Sequence, residues 1–284
     1  MVVLFADSGS TKTEWALSPT VSSAATSPLR FTTSGLNPCL MSDEDLQQAL
    51  CSEVLPNLSG SSVDVVRFYG AGCRSVHVER MERMLADVLG VGRVVVASDL
   101  LGAAHALCGR SAGIVAILGT GSGSALYDGE RFVEQTPSMG YILGDEGSGA
   151  VLGRNLLSDI FKQQLPPHII AAFHARYGLT LDDVIAHVYR QPAPNRYLDS
   201  FSYFLSSYRQ DAAIHEFLVR HFRRFFSRNV LPYHSPLLPV HFVGSLAAVF
   251  SDELHLAAEA EGCRVGRILP SPIDGLLANR SMWE

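Results

Sequence analysis

Short apolar runs separated by dense small-residue turns set the rhythm of this chain from its first residues. Val2-Val3-Leu4-Phe5 gives way to Asp7-Ser8-Gly9-Ser10-Thr11-Lys12-Thr13-Glu14, after which Trp15-Ala16-Leu17 resumes an extended pattern. Brief β-prone runs of this kind, bounded by Gly and Ser clusters, predict buried strands. Continuing in this way predicts strands at 2–7, 13–18 and 29–33 and a helix at 43–55, where Ser42 with Asp45 offers a capping-box-like start. Strand 64–69, helix 76–89, strand 93–98 and helix 100–108 follow. After Gly113 come strands at 114–118, 123–127 and 131–135, then a helix from about 147 and several more helices. Strand 238–243, helix 246–260, strand 264–269 and helix 273–281 close the chain.

With the helical stretch at 165–231 set aside, the order β-β-β-α-β-α-β-α occurs twice. Hairpin-linked strands followed by alternating helices and strands predict an α/β protein, each half a mixed sheet with helices on both faces. The expected domains are 1–110 and 111–271, the second carrying the insertion at 165–231, with the C-terminal helix 272–284 a candidate addition to the first. Two such halves predict a central cleft in which a ligand would bind.

Composition narrows the function. The chain has 284 residues, 47% of them hydrophobic, and a mean hydropathy of +0.17, enough for two cores. A net charge of −6 speaks against a general nucleic-acid or anionic-membrane surface. No apolar run approaches the ~20 residues of a membrane span, and no basic segment precedes the first apolar residues, so a cytoplasmic protein is expected. The five cysteines, Cys39, Cys51, Cys73, Cys108 and Cys263, lack any Cys-x-x-Cys pairing and are expected to be buried thiols. The pairs His168/His174 and His215/His221 sit six apart, on different helix faces, and do not suggest zinc. In 214–230, Ile214, Phe217, Leu218, Phe222, Phe225, Phe226 and Val230 make an apolar stripe beside Arg220, Arg223, Arg224 and Arg228. A core helix with a solvated face is the expectation, ahead of a nucleic-acid or membrane contact. Pro192 to Pro194 and Pro232 to Pro239 read as turns or connectors.

Against that background the first turn stands out. Its Ser, Gly and Thr residues are small enough for backbone N–H groups to close on an anion. Lys12 and Lys162 are the only lysines among 22 Lys and Arg, so Lys12 places a compact point charge suited to phosphate. The P-loop spacing is absent, and a strand rather than a helix follows. A second such turn, Gly119-Thr120-Gly121-Ser122-Gly123-Ser124, again lies between strands, with hydroxyls at Thr120 and Ser122. Either turn, alone, also reads as a structural hairpin. Asp99 ends the run Arg93 to Ser98, where ligands of open α/β sheets gather, and is a candidate general base; it is equally a candidate helix N-cap. The segment Gly140 to Ala150 places Asp145 and Glu146 among four glycines, which predicts a loop into a helix. Asp145 can there orient a polar substrate or a hydrated magnesium ion, or the segment is a structural turn. Phe242-Val243-Gly244-Ser245 reads as a strand end turning into a helix, a candidate nucleotide contact.

In this order, Asp7 to Glu14, Asp99, Gly119 to Ser122, Gly144 to Ser148 and Gly244 to Ala247 resemble the N-acetylglucosamine kinases and the BadF/BadG-type ATPase family. These belong to the sugar kinase, Hsp70 and actin superfamily, and the resemblance covers nearly the whole chain. It implies two ribonuclease H-like domains of actin-like ATPase fold, binding ATP, Mg2+ and a sugar. It would place Asp7 against the metal and phosphates, with Ser10, Thr11, Lys12 and Thr13 in the first phosphate segment. Thr120, Gly121 and Ser122 would form the second, and Gly244 and Ser245 would lie near the adenosine. Asp99 would be the base for the sugar 6-hydroxyl. Asn37, in Ser34-Gly35-Leu36-Asn37, and Asp145 match sugar-binding positions, and Ser138-Met139-Gly140 stands where vertebrate-type relatives have Gly-Trp-Gly, a departure that bears on which sugar is taken. The reaction implied is γ-phosphoryl transfer to an amino sugar, N-acetylglucosamine foremost. The alternatives are an ATPase acting with a partner protein, for which no paired cysteines offer an iron-sulfur site, and a non-catalytic sugar or nucleotide sensor. The small-molecule sugar is the expected partner, with no nucleic acid or membrane, and the resemblance makes a homodimer plausible.

Overall fold

The computed structural model describes residues 1–9, 11–18 and 28–282. The chain divides into two compact units, Met1–Arg110 with Ser271–Glu284, and Ser111–Pro270.

The first unit is organised around β1 (Val3–Ser8), whose apolar run Val3 to Ala6 is that expected of an interior strand covered on both faces and which ends in Asp7 and Ser8. β2 (Lys12–Leu17) folds back antiparallel on it, and β3 (Leu29–Ser34) is antiparallel to β2. α1 (Asp43–Ala49) begins at Ser42, whose Oγ accepts from the Asp45 N–H at 3.1 Å. The predicted helix at 43–55 is α-helical only to Ala49. It continues as a π turn over Leu50–Val54 and a 3-10 turn over Leu55–Leu58, because Pro56 has no N–H to extend the ladder. β4 (Val65–Gly70), α2 (Val76–Leu89), β5 (Val94–Ser98) and α3 (Asp99–Leu107) complete a sheet of order β3-β2-β1-β4-β5, in which β1, β4 and β5 are parallel. Their registers put Ser8, Gly70 and Ser98 side by side at the carboxyl ends of three strands. Beneath lies Trp15, its ring stacked on Phe31 and its Nε1 donating to Thr33 Oγ1 at 3.0 Å, packed with Leu4, Leu46, Leu50, Phe68 and Met81.

The second unit repeats the plan. β6 (Gly113–Leu118), β7 (Ser122–Tyr127) and β8 (Phe132–Gln135) form the antiparallel part. Seven helices follow: α4 (Gly140–Leu143), α5 (Gly149–Phe161), α6 (Pro167–Tyr177), α7 (Leu181–Arg190), α8 (Pro194–Asp199), α9 (Ser202–Ser207) and α10 (Ala212–Asn229). β9 (Val240–Val243), α11 (Ser245–Val249), α12 (Ser251–Ala260) and β10 (Val265–Leu269) return to the sheet, whose order is β10-β9-β6-β7-β8. With β6 equated to β1, the two sheets have the same strand order and the same parallel and antiparallel neighbours. α10 buries its phenylalanine stripe while Arg223 donates to Glu261 at 2.8 Å and Arg220 lies 3.7 Å from Asp159, the core helix with a solvated face that the pattern predicts. α13 (Ile273–Ala278) packs on α3 in the first unit, where a Cβ on Gly275 would stand 2.4 Å from the Ala106 carbonyl oxygen and Asn279 Nδ2 donates to His105 O at 2.8 Å.

Several expectations are corrected. Phe250 divides the helix expected at 246–260 into α11 and α12, and the turn Gly140–Leu143 is helical rather than loop. Pro194 heads α8 rather than lying in a turn or connector, whereas Pro232 lies in a 3-10 turn as expected. Of the cysteines only Cys73 is buried; Cys39 and Cys51 are exposed, and Cys108 and Cys263 are half-buried. Among the described residues no helix is long and apolar enough to cross a membrane.

The closest approach in the helical region is that of α5 to α8, where a Cβ on Gly153 would stand 1.8 Å from the Leu198 carbonyl oxygen. Gly153→Ala is expected to destabilise the protein by about 3 kcal/mol through overpacking against backbone. Urea unfolding followed by circular dichroism measures it, and an unchanged midpoint would contradict this helix contact.

Candidate active site

In the first unit the polar residues collect at the carboxyl end of the sheet. Ser8 is fully buried; its Oγ lies 2.8 Å from Thr13 Oγ1 and accepts from the Leu36 N–H at 3.0 Å. Thr13 is equally buried and donates to the Ser34 carbonyl at 3.0 Å. This pair ties the first hairpin to the segment leading to Asn37. Gly9 N–H donates to Lys12 O at 2.9 Å, closing the turn. Thr11 is exposed, as is Lys12, whose ammonium pairs with Glu14. Ser10 lies outside the described residues.

Asp7 is pushed up from 3.8 to about 7, first by burial and then by the charges of Asp99 and Glu14, with Lys12 opposing. The N-cap of α3 is Ser98, whose Oγ accepts from the Leu101 N–H at 3.2 Å. Asp99 is the first helical residue, holding the Leu100 N–H at 2.9 Å through one oxygen. The capping role open in the sequence therefore falls to Ser98. Burial raises the Asp99 carboxyl, with the Leu100 N–H and the Arg74 charge working against it. Asn37 is buried, its Oδ1 accepting from the Cys39 N–H at 3.0 Å. It lies against Gly72, whose φ of +81° and whose absent Cβ, which would stand 2.3 Å from that Oδ1, both require glycine. The Ala71 N–H is held by Ser8 O at 2.8 Å. The neighbouring Cys73 thiol is pushed up to about 12 by burial, with the charge of Asp99 adding to it. Through the loop from Gly70 to Arg74, Asn37 and Asp99 thus share one end of the sheet with Asp7.

The second unit has a matching cluster. At the β6–β7 turn the carbonyl oxygens of Gly119 and Thr120 accept from the N–H groups of Gly149 and Ala150 at 2.9 and 3.3 Å, at the first turn of α5, which Ser148 caps. Thr120 Oγ1 donates to Asp199 Oδ2 at 2.6 Å. Burial raises the Asp199 carboxyl and the Thr120 hydroxyl opposes it. Asp145 has a φ of +52°, a conformation aspartate tolerates. Burial raises it, countered by the Ser122 N–H and the Ser138 hydroxyl, which donates at 3.2 Å. A Cβ on Gly121 would stand 3.1 Å from Asp145 Oδ2. Met139 is exposed beside this group, and Gly140 opens α4 with a φ of +72°. Gly244, at the end of β9, has a φ of +133° and meets β6 so closely that a Cβ would stand 2.0 Å from Leu118 O. Ser245 follows, exposed, at the start of α11. Thr120, Gly121, Ser122, Ser138 and Asp145 therefore form one cluster, with Gly244 against the same strand end.

This geometry has close counterparts. No protein-family model matches the chain, and no curated protein sequence matches it. Among solved structures, the putative N-acetylglucosamine kinase of Porphyromonas gingivalis is 42% identical, with 98% of each chain covered and a TM-score of 0.92. The chain belongs to the N-acetylglucosamine kinase family. A putative N-acetylglucosamine kinase of Chromobacterium violaceum is 20% identical with a TM-score of 0.71, again over 98% of each chain. The ROK family glucokinase of Streptomyces griseus, solved in complex with glucose and AMPPNP, is 15% identical with a TM-score of 0.62 over 99% of each chain. These two share the fold, that of two ribonuclease H-like domains of actin-like ATPase type.

Within this N-acetylglucosamine kinase family member, three features of the clusters escape a reading of the sequence. The Gly70-Ala71-Gly72-Cys73 loop carries the same signal as the other two turns, a strand ending in small residues, and was open to the same reasoning. Ser8 reads as one more small turn residue until its buried hydroxyl is seen joining two segments. Asp199 carries no local signal, because the contact with Thr120 joins residues 79 apart in sequence. Thr13 is not brought to the open side of its turn, since its hydroxyl is committed inside the sheet.

The raised Asp7 carboxyl has a consequence for stability. Between 3.8, its value in an unfolded chain, and about 7, the native state holds a proton that the unfolded state has lost, so stability of the ligand-free protein falls as pH rises through this window. Asp7→Asn removes the penalty. The variant is expected to raise the melting temperature more near pH 8 than near pH 5, with a ceiling of about 3 kcal/mol in the difference, the share of the window that lies above pH 5. Equal shifts at both pH values in differential scanning fluorimetry would show that Asp7 is not strained when charged.

Proposed function

We propose that this protein is an ATP-dependent sugar kinase that transfers the γ-phosphoryl group to an amino sugar, N-acetylglucosamine at its 6-hydroxyl being the favoured acceptor. The observation that carries this reading is Asp99. It stands at the carboxyl end of a parallel strand, freed from capping by Ser98, with a carboxyl raised toward the strength of a useful base. As the sugar hydroxyl attacks phosphorus, Asp99 takes its proton. Positioning and charge stabilisation supply the rest of the catalysis.

The other residues take roles from their places in each unit. In the first, Asp7 faces the metal and phosphates together with Thr11 and Lys12, and Asn37 holds the sugar. In the second, Thr120, Gly121 and Ser122 grip phosphate, and Gly244 and Ser245 lie against the adenosine. Asp145 accepts from sugar hydroxyls, with Ser138 orienting it and Met139 offering an apolar side chain where vertebrate-type relatives have tryptophan. Among the described residues no group of three or more His, Cys, Asp or Glu side chains is placed to hold a metal ion. Magnesium is commonly held by one or two carboxylates and the substrate's phosphates, and the hard oxygen of Asp7, short of compensating positive charge, fits that arrangement. Bound there, the ion would neutralise charge on the phosphates. Dependence on ATP implies a cytoplasmic reaction.

Phosphorylation of N-acetylglucosamine, followed by detection of the phosphate ester, tests the roles. Asp99→Asn is expected to keep ATP affinity and lose about a hundredfold or more in kcat; undiminished turnover would remove Asp99 from the mechanism. Asn37→Ala and Asp145→Ala should each raise the sugar KM about tenfold, the worth of one hydrogen bond to a polar ligand, with little change in the ATP KM. The reverse pattern would place these residues on the nucleotide.

A further inference from the structure

A polar cavity lies in the second unit, walled by α4, the segment after it, α5 and α10. Its volume is about 440 Å3, open mouth included, and Glu146, Arg154, Asn155, His221, Arg224 and Arg228 give it its chemistry. Three guanidinium groups face one carboxylate. Glu146 is already committed, to Arg228 at 2.5 Å and to Asn229 Nδ2 at 3.3 Å. Arg154 donates to the carbonyl oxygens of Tyr141 and Ile142, which are neutral and leave its charge uncompensated. Among the described residues the Arg224 guanidinium has no ion-pair or hydrogen-bond partner.

His221 borders the cavity and reports on it. The side chain is only 9% exposed and lines the cavity, yet its Nε2 is buried without a hydrogen-bond partner. Nδ1 lies 3.4 Å from Asn155 Nδ2. With the amide donating to Nδ1, the ring proton of the neutral imidazole sits on Nε2. Burial, with the charges of Arg220, Arg224 and Arg154 adding to it, pushes the imidazole down to about 4, so it stays neutral near pH 7. A buried N–H donor without an acceptor is costly. An oxyanion in the cavity would pair with Arg154 and Arg224, whose charges already act on the His221 ring, and a tetrahedral phosphate offers acceptors in enough directions for both.

We propose that this cavity binds the phosphate group of a small phosphorylated metabolite, at a site separate from the Gly119 to Ser122 turn. Glu146 and Gly147 line it and directly follow Asp145, and Arg154 holds the carbonyls of α4 just before it. Occupation therefore acts on the segment that carries Asp145. The existence of the site does not depend on the kinase reading.

The test is 15N NMR of the histidine side chains in the full chain, titrated with inorganic phosphate and, separately, with a sugar 6-phosphate. A saturating non-hydrolysable ATP analogue is present throughout to fill any nucleotide site, and His221→Asn assigns the resonance. The expected result is an Nε2-protonated ring in the free protein whose signals move with either probe, and a weakening of about tenfold or more in Arg224→Gln, the loss of one charge-assisted contact. Movement with the sugar phosphate alone would still support the site and make the sugar part of its ligand. His221 signals that stay fixed with both probes would overturn the proposal. So would equal affinity in Arg224→Gln with an unchanged circular dichroism spectrum.

Discussion

The structure depends on one constraint: two carboxylates, Asp7 and Asp99, held near each other where burial disfavours their charge. Their strands, β1 and β5, flank β4 in parallel, and the shared register aligns Ser8, Gly70 and Ser98, so each carboxylate is delivered by a rigid element rather than a mobile loop. In water the two would ionise independently. Here burial and mutual repulsion lift Asp7 to about 7, and burial lifts Asp99. Such an arrangement is destabilising when both groups are charged, and a cation or a hydroxyl donating to them would relieve it.

Everything around that pair serves to bring chain close without filling the space. Gly72, in the β4–α2 loop, lets Asn37 of the β3–α1 segment approach, and buried Ser8 joins the first hairpin to that segment. The second unit uses the same device with the same sheet plan. Gly244 lies against the Leu118 carbonyl, Gly121 lies against Asp145, and the turn between β6 and β7 leans on the first residues of α5. Small residues at strand ends thus do in both units what long side chains cannot: they leave backbone N–H groups and short polar side chains facing outward from a rigid sheet.

Much of this was legible in the sequence, for identifiable reasons. The strands were readable because β1 and β6 are central and therefore continuously apolar, and the two turns because Gly, Ser and Thr cluster directly after them. The repeated element order became a repeated sheet topology. What the sequence could not show was set by tertiary contacts. Ser98 rather than Asp99 caps α3, a choice of one residue that local preference leaves open. Asp199 meets Thr120 only because α8 packs beside α5. The Thr13 hydroxyl looked like a phosphate donor and is instead an internal tie, and Cys39 and Cys51 sat in apolar sequence yet are exposed. The cavity around His221 was similarly hidden, since it draws together Arg154 and Arg224 from separate helices.

The central claim is phosphoryl transfer from ATP to an amino sugar, and it is tested most directly by ADP release from MgATP in the presence of a panel of sugars. N-acetylglucosamine, glucosamine, N-acetylmannosamine, N-acetylmuramic acid and glucose are compared with a control lacking sugar. The account predicts that ADP release depends on an amino sugar, strongest with N-acetylglucosamine, with the matching sugar phosphate formed in equal amount. ADP release that proceeds equally without any sugar, or no release despite measurable ATP binding, would contradict it.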